Sequence, residues 1–169
     1  MYDEWLVPVC LPECCRRRIR LCRLAILLIR HLWVHDGTLY VYTGHDEDHA
    51  DFFWMQEWRV YSTKDMVNWT DHGSPLAIES FDWADDRAWA SQCIERNGKF
   101  YWYVCLHSKL TNTMAIGVAV GDSPTGPFKD AIGRPLYEGS WDFIDPTVLW
   151  TMTGRLIYIG EIRMFTMPS

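Results

Sequence analysis

One carboxylate in an aromatic stretch is the strongest chemical signal in this sequence. Residues 140–148 read Ser-Trp-Asp-Phe-Ile-Asp-Pro-Thr-Val and place Asp145 at an Ile-Asp-Pro corner. Taken alone, the corner is explained by turn capping, because Asp-Pro steps favour turns and extended backbone. The aromatic residues around it indicate sugar chemistry instead, since flat apolar rings with a polar edge suit sugar-stacking clefts.

Two tryptophans in the segment FDWADDRAWASQ are candidates for stacking on a sugar. Trp83 and Trp89 flank Asp85 and Asp86. Burial in the core explains such residues equally well, and the neighbouring alanine makes Trp89 look more like a core residue than Trp83. We therefore predict a substrate-binding role for both residues and favour Trp83.

A polar cluster follows the first aromatic run and includes His45 and Asp46. We predict that these residues lie in a loop at a strand end and contact substrate. The alternative is an ordinary solvated loop. A metal site is disfavoured because the ligand spacing of an EF-hand is not met.

Composition and charge restrict the class of protein. The chain has 169 residues, of which 49% are hydrophobic and 15% aromatic, which indicates a globular fold. Residues 1–33 carry a net charge of +3 and residues 34–169 one of −9, giving −6 in all. An acidic main part argues against nucleic acid as a partner, and the Leu24 to Ile29 run is too short to span a membrane.

The six cysteines form no CxxC pair, which argues against a zinc site. Four of them crowd the N-terminal segment, whereas Cys93 and Cys105 lie in strand-like runs. We expect these two to pack as small buried hydrophobic residues.

Short aromatic and β-branched runs separated by Gly, Asn and Asp turns predict an all-β fold from Val34 onward. The predicted strands are Thr38–Thr43, Trp58–Thr63, Ala88–Glu95, Phe100–Leu106 and Met114–Gly121. Residues 34–42 and 94–103 resemble each other, each a polar turn with Gly before an aromatic strand, which is the kind of repeat found in propeller blades. Residues 13–31 could instead form a basic, apolar helix that is not part of this fold.

Five segments occur in order: HDGTLYVYTGHDED, STKDMVNWTDHG, AWASQCIERNGKFYWY, IGVAVGDSPTGPF and IDPTV. Together they resemble glycoside hydrolase family 43 over residues 34–148, especially its α-L-arabinofuranosidase and β-xylosidase members. The resemblance implies a partial five-bladed β-propeller, about two blades plus the start of a third. It also implies hydrolysis of arabinoxylan with inversion, in which Asp145 raises the pKa of the general acid and orients it.

In this family an Ala-Asp-Pro run that carries the general base precedes the first of these segments, whereas this chain has Ile29 where that Asp is expected. Codons for residues 27–33 and 149–164 can be chosen so that a neighbouring frame restores family-like motifs. We therefore expect 1–33 and 149–169 to be out-of-frame or non-homologous segments around a partial domain at 34–148. The general acid is then missing as well, and this chain is expected to be inactive by itself.

The expected partner is a plant cell-wall oligosaccharide or polysaccharide, with no nucleic acid and no membrane. The resemblance implies no cofactor and allows a structural cation at the propeller axis. Two alternatives to a hydrolase fragment remain, namely a non-catalytic carbohydrate-binding module and a truncated product without function. Binding of arabinoxylan oligosaccharides without hydrolysis, abolished by Trp83→Ala, would favour the module.

Overall fold

The structure is a computed structural model that describes residues 29–47, 52–150, 156–159 and 164–166. Its long strands are β1 Ile29–His35, β2 Thr38–Asp46, β3 Met55–Thr63, β7 Ser91–Arg96, β8 Lys99–Ser108 and β9 Thr113–Gly121. Its short strands are β4 Thr70–Asp71, β5 Leu76–Ala77, β6 Ala84–Asp86, β10 Lys129–Asp130, β11 Tyr137–Glu138, β12 Thr147–Trp150, β13 Leu156–Ile159 and β14 Met164–Thr166. Among the described residues, one 3-10 turn spans Ile78–Ser80.

The strands form three antiparallel sheets. In the first sheet the order is β1-β2-β3-β4, with β5 also pairing with β3. In the second sheet the order is β10-β9-β8-β6, while β7 pairs with β8 and β11 with β9. The third sheet has the order β12-β13-β14. All five predicted strands are present, although the third begins at Ser91 rather than Ala88.

The predicted repeat is confirmed by the pairing. Strands β1, β2 and β3 are followed by two short strands that pair with β3, and strands β7, β8 and β9 are followed by two that pair with β9. Equivalent two-residue turns, Asp36-Gly37 and Asn97-Gly98, close the first hairpin of the first sheet and of the second sheet, and all four residues have positive φ. Such turns match the right-handed twist of paired strands, which explains the Asp-Gly and Asn-Gly sequences.

A layer of aromatic side chains joins the first two sheets. The Tyr42 and Trp102 rings lie 4.8 Å apart, and the Trp102 and Phe128 rings lie 5.0 Å apart. Trp58 and Trp102 are completely buried in this layer. The layer fixes the two sheets face to face, as strongly apolar inner faces require.

The second sheet is buried on both faces. Its opposite face carries Tyr103, Cys105 and Ile116, which pack against Val148 of the third sheet and against the segment before it. Double burial explains why β8 is a continuous apolar run instead of an alternating one. The expected burial of Cys93 and Cys105 is confirmed.

The predicted helix over 13–31 lies mostly outside the described residues. Where it can be compared it is wrong, because residues 29–31 belong to β1 and pair with β2. Strand β1 also crosses the predicted boundary at residue 33, and β12 crosses the one at residue 148. The frame hypothesis that set these boundaries stays a prediction. No helix in the described ranges is long and apolar enough to cross a membrane.

Candidate functional site

One end of the sheets collects the beginnings of the strands β1, β7 and β12. Ile29, at the start of β1, pairs with Thr43 near the end of β2. Ser91, at the start of β7, pairs with Val104 in the second half of β8. Because the segments before β7 and β12 contain Trp89 and Asp145, this end gathers several of the predicted site residues, and we call it the strand-start end.

Asp145 lies in the loop 139–146 that leads into β12. Phe143 and Ile144 of this loop pack against the second sheet, and the Phe143 carbonyl lies 3.5 Å from the Cys105 sulfur. After the loop, the Val148 N–H donates to Gln92 Oε1 at 2.5 Å, which ties β12 to β7. The carboxylate is therefore carried by a loop that is anchored on both sides.

The backbone at Asp145 is in the left-handed region, with φ of 53°. Asp is among the few residues other than Gly that adopt this conformation readily, because its short polar side chain bonds locally. The side chain is half-buried. The anchored loop and the left-handed backbone together set the position of the Asp145 carboxylate ahead of β12.

The two candidate tryptophans have environments opposite to those expected. Trp83 is 4% exposed and belongs to the core between the first two sheets. Its indole N–H donates to Asp130 Oδ2 at 2.9 Å, and its ring lies 5.5 Å from that of Phe81. The preference for Trp83 over Trp89 as the more accessible residue is therefore wrong, because side-chain burial depends on sheet packing and not on the neighbouring residue type.

Trp89 is half-buried at the strand-start end. Its indole N–H donates to the Phe53 carbonyl at 2.9 Å, and its own carbonyl accepts from the buried Trp58 indole at 2.6 Å. The rings of Phe52 and Phe53 lie 6.2 and 6.4 Å away. Both phenylalanines are more than half exposed, so an accessible aromatic surface begins at Trp89 and extends over the segment before β3.

His45 and Asp46 lie in β2 and not in a loop, because β2 continues to pair with β3 as far as Met55. His45 Nδ1 is 3.0 Å from Glu57 Oε1. Burial opposes ionisation of Glu57, but hydrogen bonds from Ser74 and Arg59 outweigh it and hold the pKa of Glu57 below its usual range. His45 therefore contacts a carboxylate that also pairs with Arg59, and this contact does not test the predicted contact of His45 with substrate.

Asp46 ends β2 at the strand-start end. One of its carboxylate oxygens, Oδ1, is buried without a hydrogen-bond partner among the described residues. Buried polar atoms are nearly always paired, so this oxygen is a candidate to accept a hydrogen bond from a bound ligand. The predicted role of Asp46 in substrate binding stays a prediction.

Two residues at this end were not assigned from the sequence. The Arg87 guanidinium lies 5.5 Å from the centre of the Trp89 ring and 5.3 Å from that of Trp141. Trp141 is 55% exposed and stands in the same loop as Asp145. The signal that could have identified Trp141 is an aromatic residue four positions before a candidate carboxylate and two positions after Gly139.

The chemistry available here is binding by aromatic faces and hydrogen bonds, with one carboxylate carried at a strand start. In the part of the chain that is described, no group of three or more His, Cys, Asp or Glu side chains could hold a metal ion. This finding concerns only clusters of those side chains and does not test the axial cation allowed by the resemblance. That cation stays a prediction.

The family model described as Glycosyl hydrolases family 43 matches residues 31–162. A xylosidase/arabinosidase from Bacteroides ovatus is 38% identical over 139 residues, covering 76% of this chain and 42% of that protein. A xylosidase/arabinosidase 43A from Humicola insolens is 34% identical over 140 residues, with the same coverage. The chain thus spans less than half the length of the curated relatives it matches.

Solved structures show the same similarity to family 43 enzymes over part of their length. The structure of CoXyl43, a β-xylosidase/α-arabinofuranosidase from a compost microbial metagenome in complex with xylotriose, superposes with a TM-score of 0.68 at 34% identity. The match covers 78% of this chain and 41% of the CoXyl43 chain. An enzyme from Xanthomonas citri complexed with xylose gives a TM-score of 0.65 at 32% identity, and the match covers 82% of this chain and 43% of the Xanthomonas chain. The three sheets are accordingly part of a five-bladed β-propeller.

Proposed function

Because the chain belongs to the glycosyl hydrolases of family 43, we propose that it is part of an enzyme that hydrolyses O-glycosidic bonds in arabinoxylan-type plant polysaccharide. The observation that carries this proposal is the match over residues 31–162, together with the position of Asp145 at the start of β12. The names of the relatives, which combine xylosidase and arabinosidase, support pentose-containing substrates.

In the proposed reaction the glycosidic bond is cleaved with inversion. A general base activates water on one face of the sugar while a general acid protonates the leaving oxygen, and the two carboxyl groups stand roughly 6.5 to 9.5 Å apart. Asp145 is neither of these groups. Its negative charge near the general acid raises the pKa of that acid, so that the acid stays protonated near neutral pH.

The 169-residue chain tested by itself is proposed to bind pentosides without cleaving them. Residue 29, at the start of the strand that is expected to carry the general base, is an isoleucine and cannot accept a proton. Loss of a general acid or base lowers the rate by about 10²- to 10⁴-fold. Binding does not depend on these groups, because stacking on aromatic side chains needs no proton transfer.

Trp89 is the central residue of the proposed binding surface. It is half-buried, its indole N–H donates to the Phe53 carbonyl, and it lies two residues before β7 at the same end as Asp145. Trp83 does not have this accessibility, so Trp89→Ala replaces Trp83→Ala as the variant that tests the sugar-binding role. Asp46, whose buried oxygen has no partner in the described residues, is proposed to accept a hydrogen bond from a sugar hydroxyl.

The proposal is tested by titrating the chain with xylotriose and with maltotriose in a calorimeter. We expect saturable binding of xylotriose, no binding of maltotriose, and loss of xylotriose binding in Trp89→Ala. Trp69→Ala is the matched control, since Trp69 is also a half-buried tryptophan but lies between β3 and β4, at the opposite end of β3 from the strand-start end. Equal affinity for both sugars, or full binding by Trp89→Ala, would refute the proposed site.

A further inference from the structure

Arg87 joins two aromatic residues that come from different segments of the chain. Its guanidinium lies within 6 Å of both indole centres, at 5.5 Å from Trp89 and 5.3 Å from Trp141. Both distances fall within the range of cation–π attraction. The guanidinium also lies near the Asp86 carboxylate, with 3.9 Å between Arg87 Nη1 and Asp86 Oδ2.

Trp141 is not held by the core. With 55% of its surface exposed, its ring contacts are the Arg87 guanidinium and the His107 imidazole, whose centre lies 5.8 Å away. His107 is itself fixed by a 2.7 Å contact between its Nδ1 and Asp85 Oδ1. A large, accessible aromatic ring held at a defined angle by polar groups is what a sugar-stacking platform requires.

The position of this ring relates it to the proposed site. Trp141 stands in the loop that carries Asp145, and Phe143 and Ile144 anchor that loop to the second sheet. Trp89 belongs to the segment before β7. Arg87 therefore connects two strand-start segments, and the aromatic surface continues from Trp89 to Trp141 through it.

We propose that Arg87 is a positioning residue: placed between Trp89 and Trp141, it holds Trp141 as the stacking platform for a second pentose unit of a bound oligosaccharide. This inference rests on the proposed function, because it extends the same site. A planar guanidinium stacks on two rings at once, whereas the compact ammonium of lysine does not. The platform should therefore depend on arginine and not only on positive charge.

The test compares the affinities of the chain for xylose and xylotriose by calorimetry. We expect Arg87→Gln and Trp141→Ala each to weaken xylotriose binding by about three- to tenfold, while xylose binding stays unchanged. Arg87→Lys should behave like Arg87→Gln. The double variant should lose no more xylotriose affinity than either single variant, because each change by itself already removes the Arg87–Trp141 contact that forms the platform. Trp69→Ala, which changes a half-buried tryptophan at the opposite end of β3, should match the unmodified chain.

The selective loss separates positioning from a general structural role, since a destabilised fold would weaken binding of both sugars. Wild-type xylotriose affinity in Arg87→Gln or in Trp141→Ala overturns the inference and leaves the proposed function intact. Equal losses for xylose and xylotriose also overturn it. If the unmodified chain binds neither sugar, the proposed function fails and this inference fails with it.

Discussion

Replacing Asp130 with alanine should destabilise the protein well beyond the usual effect of a surface substitution. Asp130 Oδ2 accepts the indole N–H of buried Trp83 at 2.9 Å. Its Oδ1 accepts the N–H groups of Ile132 and Gly133 at 3.0 and 2.9 Å. One carboxylate therefore satisfies a core tryptophan and fixes the loop after β10, as a turn-capping role predicts.

The magnitude follows from what each donor loses. The Trp83 indole is 4% exposed, so Asp130→Ala leaves its N–H buried without a partner, which costs about 1–3 kcal/mol. Water can replace the carboxylate at the two loop N–H groups, so these add about 0.5–1 kcal/mol together. We expect a total of about 1.5–4 kcal/mol.

Urea unfolding followed by tryptophan fluorescence measures this loss as a lower midpoint at constant m-value. Asp122→Ala is the control, because Asp122 pairs with Lys99 on an exposed surface and such pairs contribute little. In a double-mutant cycle with Trp83→Phe, the two changes should be strongly non-additive, since phenylalanine has no N–H to leave unpaired. An Asp130→Ala midpoint equal to that of Asp122→Ala would refute the hydrogen-bond argument.

Three further predictions concern pH, reactivity and packing. Backbone N–H groups of the following turn lower the pKa of Asp65 to about 2. The ionised Asp65 carboxylate therefore stabilises the fold above pH 3.8, and this stabilisation is lost as the pH falls toward 2. Asp65→Asn should make the free energy of unfolding depend less on pH between these two values. Burial raises the pKa of Cys93 to about 12, so peptide mapping should find it unmodified by a thiol reagent until urea is added. Gly117→Ala should cost about 1–3 kcal/mol in thermal unfolding, because the new Cβ would lie 3.0–3.2 Å from two rigid aromatic rings. Gly44→Ala should cost less, since its nearest neighbour at 2.9 Å is the flexible Met55 sulfur.

The strands and their repeat could be predicted because they depend on local signals. Asp36-Gly37 and Asn97-Gly98 are turn sequences whose positive φ values can be inferred from residue type alone. The aromatic runs after them continue into β2 and β8 as predicted. The resemblance to the family then supplied the order of the sheets, which local signals do not contain.

The environments of individual side chains could not be predicted in this way. Trp83 and Trp89 are six residues apart in a similar sequence context, yet one is in the core and the other is half-buried at the strand-start end. The difference arises from Asp130, Phe53 and Trp58, which are distant in sequence and hydrogen-bond to them. Contacts of this kind depend on how the sheets pack, and the Arg87 contact with Trp141 was missed for the same reason.

We propose that these sheets bind pentosides as part of a hydrolase propeller, and that the 169-residue chain tested by itself does not cleave them because residue 29 is an isoleucine. Xylotriose incubated with the purified chain, with calorimetry for binding and chromatography for released xylose, tests this proposal most directly. The account predicts saturable binding with no xylose released above the buffer control. Two results would contradict the proposal. One is a xylose-releasing activity that stays with the chain through purification, and the other is the absence of any xylotriose binding.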